Sequence, residues 1–548
     1  MKPIIECVPN YSEGRDKSVI EAIVAAIRSV EGVTVLDVDP GEATNRTVVT
    51  FVGSPEPVCE AAFQGAKKAQ ELIDMRRHHG AHPRSGATDV LPLIPVSGIT
   101  LEECAALARQ LAQRLYEELG IPCYCYEAAA FKPERKNLAV CREGEYEALP
   151  EKMADPDKQP DYGGGAFTET VAKCGATNVG ARGFLVAVNF NLNTTSTRRA
   201  MAVAFDVREK GRKKPNGEGW IPGTLKGTKA IGWVIDEYGI AQVSMNITDI
   251  DVTPLHIAYE EVSRAAAARG LKVTGAEIVG LVPKRVLLEA GRFYLEKQQR
   301  SLGISEDEIV KIAVKSMSLD DLKPFNPQEK VIEYLMADGK KGLADMTVAA
   351  FARETASESA APGGGSVSAC MGAFGAALAT MVANLSAHKR GWDDRWKEFS
   401  DVAEKGQVLM EDLLRLIDED TAAFNRIMDV FSMPKGTDEE KAARAAALEA
   451  ATLNAAQVPL RTMEVSLQAL PLALEMARKG NPASASDAGV AALAALAGIK
   501  GARLNVRINC AGLKDKAAAK PLLDRADAIV AEATALEAQV LETIEAHL

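Results

Sequence analysis

Aromatic residues make up only 5% of this 548-residue sequence, and histidine occurs six times. So few rings leave little for stacking on nucleic-acid bases. A formal net charge of −11 argues against a nucleic-acid binder working through bulk positive charge. Nine cysteines are too sparse for a disulfide scaffold, and the only close pair, Cys123 and Cys125, has no zinc-site spacing. Reduced thiols in a cytoplasmic protein are the expectation, and the N-terminus lacks the apolar core of a secretory signal. Neither the P-loop nor the Gly-x-Gly-x-x-Gly fingerprint occurs, so no nicotinamide cofactor is expected. The most membrane-like run, 367–385, consists largely of small residues and contains Asn384, which reads as a buried helix rather than a membrane span.

What is present divides the chain in two. From Lys341 to Leu548, 49 of 208 residues are alanine, the best helix former, and strand-like runs are scarce. The first 325 residues instead alternate β-branched runs with amphipathic stretches. Strands at 4–8, 33–38, 47–52 and 89–96, with helices at 17–29 and 57–73, give the order β-α-β-β-α-β. A further helix (101–119) and strand (122–126) follow. The order recurs in 184–282. The fold class expected is therefore α+β, two ferredoxin-like βαββαβ subdomains, followed by an all-α helical bundle. The boundaries expected are 1–180 and 181–325 for the subdomains, 326–345 for a Pro- and Gly-containing linker, and 346–548 for the bundle.

Chemistry concentrates in a few segments. Three of the six histidines lie in His78-His79-Gly80-Ala81-His82-Pro83-Arg84, a segment that runs on to Asp89. His78 and His82 have an i, i+4 metal-ligand spacing, but Gly80 and Pro83 oppose a helix there. A solvated loop is one alternative. A loop-held imidazole suited to moving protons, beside an arginine able to clamp a carboxylate, is the other. Gly163-Gly164-Gly165 and the segment from Gly175 to Arg182 read either as an interdomain linker or as a loop approaching a ligand closely. Lys210, Arg212, Lys213 and Lys214 are either a solvated loop or an anchor for a polyanion. Asp420 falls four residues from both Leu416 and Phe424, on an apolar helical stripe, where a carboxylate is costly unless paired or used. Asp418 and Glu419 are expected to face water. Ala361-Pro362-Gly363-Gly364-Gly365-Ser366 opens the small-residue helix. Asn481 to Gly489 opens another, and polar loops at the ends of two such helices can line one pocket.

Taken in order, Cys7-Val8-Pro9-Asn10-Tyr11-Ser12-Glu13-Gly14, His82-Pro83-Arg84 through Asp89, Ala361 to Ser366, the Asp418 region and Asp487-Ala488-Gly489 resemble the bifunctional formimidoyltransferase-cyclodeaminase family over nearly the whole chain. The resemblance implies transfer of a formimidoyl group from N-formimidoylglutamate to N5 of tetrahydrofolate. It then implies cyclisation to 5,10-methenyltetrahydrofolate with loss of ammonia, a step of histidine breakdown. It implies His82 as the base of the transfer, oriented by Asp39, with Arg84 and Arg182 for substrate carboxylates. It places folate contacts at Gly163, Gly164, Gly165 and Gly175, and the proton-shuttling aspartate at Asp420 or Asp418. It further implies polyglutamylated folate, a homo-oligomer and no metal; the local charge of Lys213 and Lys214 makes them candidate anchors for the tail, and no membrane or nucleic-acid partner is expected. Formimidoylglycine as donor and a non-catalytic folate-binding oligomer are the competing readings.

Overall fold

The computed structural model describes residues 3–42, 44–80, 83–235, 238–336 and 341–546. The chain divides into two compact units. One comprises Met1–Glu289 with Met317–Asp338, the other Ala290–Ser316 with Gly339–Leu548.

The first unit opens with β1 (Ile4–Cys7), β2 (Asn10–Tyr11), α1 (Lys17–Arg28), β3 (Val33–Gly41), β4 (Arg46–Gly53), α2 (Pro55–Leu72), β5 (Thr88–Ser97), α3 (Leu101–Leu119) and β6 (Cys123–Glu127). Three short helices, α4 (Leu138–Cys141), α5 (Leu149–Ala154) and α6 (Glu169–Cys174), precede β7 (Thr177–Ala181). β3 pairs with β4, β4 with β1, and β1 with β5, all antiparallel, while β7 joins β5 and β6 in parallel. β1, β3, β4 and β5 thus have the ferredoxin-like order expected, extended by the appended strand β6 and by β7, which makes a buried strand of 177–181 where the sequence suggested a loop or linker. Side chains alternate across this sheet. Ile5, Cys7, Val49, Phe51, Leu91 and Leu93 point into a core shared with Ile23 of α1, Ala62 of α2 and Ala108 of α3. The opposite face carries Glu6, Asn10, Asp37, Asp39, Arg46 and Thr50.

The second subdomain repeats the order with β8 (Val186–Leu192), α7 (Thr197–Val207), a hairpin of β9 (Arg212–Lys213) and β10 (Trp220–Ile221), β11 (Thr228–Ile235), β12 (Ile240–Ile247), α8 (Leu255–Ala267) and β13 (Val273–Val279). Its sheet runs β11-β12-β8-β13, antiparallel throughout. α7 and α8 pack on the sheet and share its core.

Two segments depart from the expected boundaries. Within 326–345, Asn326 caps α11 (Pro327–Lys330) and α12 (Ile332–Met336) follows, with Val331 bridged to Val282. This part is tied to the first unit and does not span freely. Conversely, residues 290–316, most of α9 (Lys284–Lys297) and all of α10 (Glu306–Ser316), cluster with the helical unit. There the Leu302 N–H donates to Ser400 Oγ at 3.0 Å, and Asn384 donates to the Gly303 carbonyl at 2.8 Å. Backbone groups of a loop need partners, and this loop finds them on the helices of the second unit.

That unit continues with α13 (Val348–Thr355), α14 (Gly364–Ala387), α15 (Trp396–Phe431), α16 (Asp438–Lys479), α17 (Ala485–Gly512) and α18 (Lys516–Glu545). Its core is mostly alanine, such as Ala376, Ala379, Ala473, Ala491 and Ala495, interleaved with Leu413, Leu416 and Met463. Small residues let the helix axes approach closely, which accounts for the composition of this half. α14 and 482–512 are each long and apolar enough to cross a membrane, yet more than half of each is buried within the helical packing.

Candidate active sites

The polar face of the first sheet bounds a cavity of about 470 Å³, closed on its far side by Phe184, Leu185, Ala187, Asn246 and Leu281 of the second subdomain. Asp39 and Arg182, which the resemblance implied as site residues, line it together with Glu6, Asp37, Arg46 and Arg142, which the sequence reading passed over. Glu6 was detectable: a glutamate amid Ile4, Ile5, Cys7 and Val8 occupies the wrong place for a solvated charge. It is 5% exposed, and its carboxylate has neither a hydrogen-bond nor an ion-pair partner among the described residues. Burial pushes its carboxyl up to about 7, against the opposing pull of Arg182. Burial also raises Asp37, helped by the neighbouring Asp39.

His82 lies outside the described residues, but the chain on both sides of it is firmly held. His78 Nε2 donates to the Asn45 carbonyl at 2.8 Å, and Asn45 Nδ2 donates to the His79 carbonyl at 3.0 Å. On the other side, the Ser85 N–H donates to Asp89 Oδ1 at 2.9 Å. Gly175, at φ +69°, abuts Ser85 and Gly86 so closely that a Cβ there would lie 2.2 Å from the Ser85 carbonyl oxygen. Gly175 therefore supports the loop after His82.

Arg84 does not line the cavity. Its guanidinium donates to Glu145 at 2.9 Å, to both oxygens of Glu147 at 2.8 and 2.6 Å, and to the His78 carbonyl and Nδ1. All five of its N–H groups are thereby occupied, and they tie this loop to Glu145 and Glu147. His78, with both ring nitrogens engaged and burial depressing its pKa, is likewise structural. No group of three or more His, Cys, Asp or Glu side chains is placed to hold a metal ion among the described residues.

Gly163 packs on Tyr116 and Pro122, and Gly164 on Gln159, on the α3 side of the sheet. Neither they nor Gly165 line the cavity. Nearby Asp161 forms a buried ion pair with Arg135 at 2.6 Å. The glycines of 163–165 thus serve the packing of this loop. Lys213 and Lys214 sit on the exposed β9–β10 hairpin, with Lys210 Nζ 4.4 Å and Lys213 Nζ 6.0 Å from the Trp220 ring centre.

In the helical unit, the N-terminus of α14 meets α15 at Asp420. Ser366 Oγ donates to Asp420 Oδ2 at 3.0 Å and contacts the Ile417 carbonyl at 3.1 Å. Burial raises the Asp420 pKa, and the Ser366 hydroxyl and backbone N–H partly offset this. A Cβ on Gly365 would lie 2.1 Å from Asp420 Oδ1, so the helix backbone is in contact with the carboxylate. Asn505 of α17 approaches Gly364. Asp418 does not simply face water: its Oδ1 accepts from the Leu343 N–H at 2.6 Å, which pins the chain entering this unit. Glu419 pairs with Arg461 at 2.8 Å.

The polar segment 481–489 does not join Asp420. Gly375 faces Ala491 and Ala495 while Gly498 faces Ser368 and Gly372, so α14 and α17 are antiparallel. The Asn481 N–H donates to Ser386 Oγ at 2.8 Å. Twenty residues of helix separate Ser386 from Ser366, roughly 30 Å.

Residues 4–182 match the family described as "Formiminotransferase domain, N-terminal subdomain", residues 187–337 "Formiminotransferase domain", and residues 347–528 "Formiminotransferase-cyclodeaminase". The chain is 42% identical over 549 residues to the formimidoyltransferase-cyclodeaminase of Rattus norvegicus, covering 100% of both chains. This chain belongs to the formimidoyltransferase-cyclodeaminase family. Each half also has a separate relative. The first is 43% identical over 296 residues to a glutamate formimidoyltransferase of Streptococcus pyogenes serotype M1, covering 54% of this chain and 94% of the relative. A second relative, a methenyltetrahydrofolate cyclohydrolase of Methylorubrum extorquens, is 41% identical over 202 residues, covering 37% of this chain and 97% of the relative. Within the formimidoyltransferase-cyclodeaminase fold, the charged cavity belongs to the transferase part and the Ser366–Asp420 pair to the cyclodeaminase part.

Proposed function

We propose that the chain is a bifunctional folate enzyme whose two units act in succession. The first transfers the formimidoyl group of N-formimidoyl-L-glutamate to N5 of tetrahydrofolate. N5 attacks the amidine carbon, the bond from that carbon to the glutamate nitrogen breaks, and His82 takes the N5 proton and returns it to the departing amine. The clamped segments on either side of His82 and the adjoining charged cavity support this role. The second unit closes the ring: N10 attacks the same carbon, ammonia leaves, and 5,10-methenyltetrahydrofolate forms. Asp420, part-buried with a raised pKa, is suited to carry the proton to the leaving ammonia, whereas Asp418 is occupied by the Leu343 N–H. The observation that carries the reading is the full-length match, with each half also matched by a protein of one activity. The cyclohydrolase-named relative fits, because opening and closing the methenyl bridge share the same carbon.

The folate is proposed to be polyglutamylated, its tail drawn to Lys213 and Lys214. The protein is proposed to be cytoplasmic and homo-oligomeric. Exposed stripes on α14 (Met371, Phe374, Met381, Leu385) and α17 (Val490, Leu493, Leu504, Ile508) support contact between helical units of two copies.

The test is a methenyltetrahydrofolate absorbance assay with tetrahydrofolate and either formimidoylglutamate or formimidoylglycine. Signal with the glutamate donor is expected. Signal with glycine alone would change the donor, and silence with both would favour a non-catalytic oligomer.

A further inference from the structure

Three acids line the transferase cavity among the described residues, and of these Glu6 alone is set in an apolar wall. Residues directly opposite each other in an antiparallel pair share a face. Glu6 stands opposite Val52 of β4 on one side and Ile94 of β5 on the other, both buried. Val8, two residues on, continues the same face, and Leu185, Leu281 and Ile332 line the cavity with it. Asp37 and Asp39 instead lie on β3, which pairs only with β4, and both are more exposed than Glu6. Arg182 stands level with Glu6 but does not pair with it. It follows Ala181, which is opposite Leu93, so β5 lies between them and two strand spacings, roughly 10 Å, separate their backbones. Its Nη1 donates to the Gly183 carbonyl at 2.9 Å instead.

A buried carboxylate without donors is costly, and it is best satisfied by two parallel N–H groups, one for each oxygen. No described residue supplies them to Glu6, so they are left for a ligand in the cavity. Tetrahydrofolate carries such a pair: its pyrimidine ring presents the 2-amino group beside N3–H, on one edge of a flat, uncharged bicycle. Apolar walls suit the faces of that bicycle, and a single well-placed polar group fixes its orientation. Two ligand N–H groups would also favour the ionised form of a carboxyl that burial pushes up to about 7. The amidinium of the formimidoyl donor has paired N–H groups as well, but it is a full cation, and Asp37 and Asp39 offer it two more exposed carboxylates.

We propose that Glu6 holds the pterin of tetrahydrofolate by its pyrimidine edge, one carboxylate oxygen accepting from the 2-amino group and the other from N3–H. The inference rests on the folate transferase reading above. N5 belongs to the other ring of the bicycle, so Glu6 binds and orients the acceptor without touching the reacting atoms.

The experiment compares the full-length wild-type protein with Glu6→Gln and Glu6→Asp, each given tetrahydrofolate or 2-desaminotetrahydrofolate, which keeps N5 and lacks the 2-amino group. Affinity is read as KM in transfer from formimidoylglutamate and, without donor, by calorimetric titration. The wild type is expected to favour tetrahydrofolate over the 2-desamino compound by at least about 10-fold. Glu6→Gln is expected to weaken tetrahydrofolate at least about 10-fold and the 2-desamino compound less than about 3-fold, with the KM for formimidoylglutamate within about 3-fold of wild type. Glu6→Asp keeps the acid and is expected to keep part of the preference for the 2-amino group, which carries the comparison if Glu6→Gln misfolds. Equal loss with both folates would overturn the subsite, as would a loss confined to the KM for formimidoylglutamate, which would give Glu6 to the donor amidinium. An active wild type with no preference between the two folates would overturn the subsite alone. A wild type that binds tetrahydrofolate with the expected preference but transfers nothing from formimidoylglutamate would overturn the proposed activity and leave the subsite standing.

Discussion

Ser366 and Asp420, fifty-four residues apart, meet at 3.0 Å where the first turn of α14 touches α15. Burial raises the Asp420 pKa while the hydroxyl favours its ionised carboxylate, so the pair sets the acidity of the aspartate proposed above to carry the proton. Asp420→Asn should reduce cyclodeamination at least 100-fold and leave formimidoyl transfer intact, so that 5-formimidoyltetrahydrofolate accumulates. Ser366→Ala removes a bond that lowers the pKa. The limb of the pH–rate profile governed by Asp420, measured from preformed 5-formimidoyltetrahydrofolate, should move to higher pH. An unmoved limb would dissociate Asp420 from the proton transfer.

Gly365→Ala tests the same contact by sterics. The added methyl would fall 2.1 Å from Asp420 Oδ1, against a helix backbone with no room to retreat. Cyclodeaminase activity should fall by at least 10-fold, with destabilisation of about 1–3 kcal/mol read from the unfolding of the helical unit. Retention of both activity and melting temperature would show that the carboxylate can turn aside harmlessly.

Glu6 makes the first unit sensitive to pH. Its carboxyl rises from 4.5 to about 7 on folding, so its contribution to stability is fully present below about pH 4.5 and is lost as pH rises through about 7. The span corresponds to about 3 kcal/mol at most. Glu6→Gln should flatten that decline and raise the melting temperature at pH 8. Calorimetric scans of both proteins between pH 5 and 8 check it, and parallel curves would place a solvated, ionised Glu6 in the folded protein.

Arg84 should behave as a loop tie. Arg84→Ala leaves His78 Nδ1 and two partly exposed glutamates without their donor. A loss of about 1–3 kcal/mol in stability is expected, with transferase kcat reduced and the KM for formimidoylglutamate little changed. A selective rise in that KM would restore Arg84 as a substrate ligand.

Neutralising Lys213 and Lys214 should weaken binding of a long-tailed polyglutamyl folate by several-fold and leave the monoglutamate nearly unaffected, the difference shrinking as salt rises. Equal effects on both ligands would remove the hairpin from tail binding.

Several of these features were legible in the amino-acid order. β-Branched runs marked the strands, and their βαββαβ order with the amphipathic stretches identified the subdomains, because branched side chains pack well on a pleated surface. Asp420 stood out because a charge on an apolar stripe is costly. Arg84 misled because a guanidinium beside His82 looks like a ligand, while its real partners, Glu145 and Glu147, lie about sixty residues away. Segment 481–489 misled for a related reason: two similar helix starts look equivalent until the antiparallel packing of α14 and α17 puts them at opposite ends.

The sequence alone therefore determined what local chemistry dictates: which segments alternate, which are alanine-rich enough to pack as close helices, and which motifs mark the family. Tertiary structure decided which charges share a cavity. Glu6, Asp37 and Arg46 come from three different strands that the sheet's pairing turns to one face, and Arg142 joins them from the end of a short helix. It also gave Asp418 and Asp420 different partners: Asp418 accepts the Leu343 N–H from seventy-five residues away, while Asp420 meets Ser366 at the start of α14.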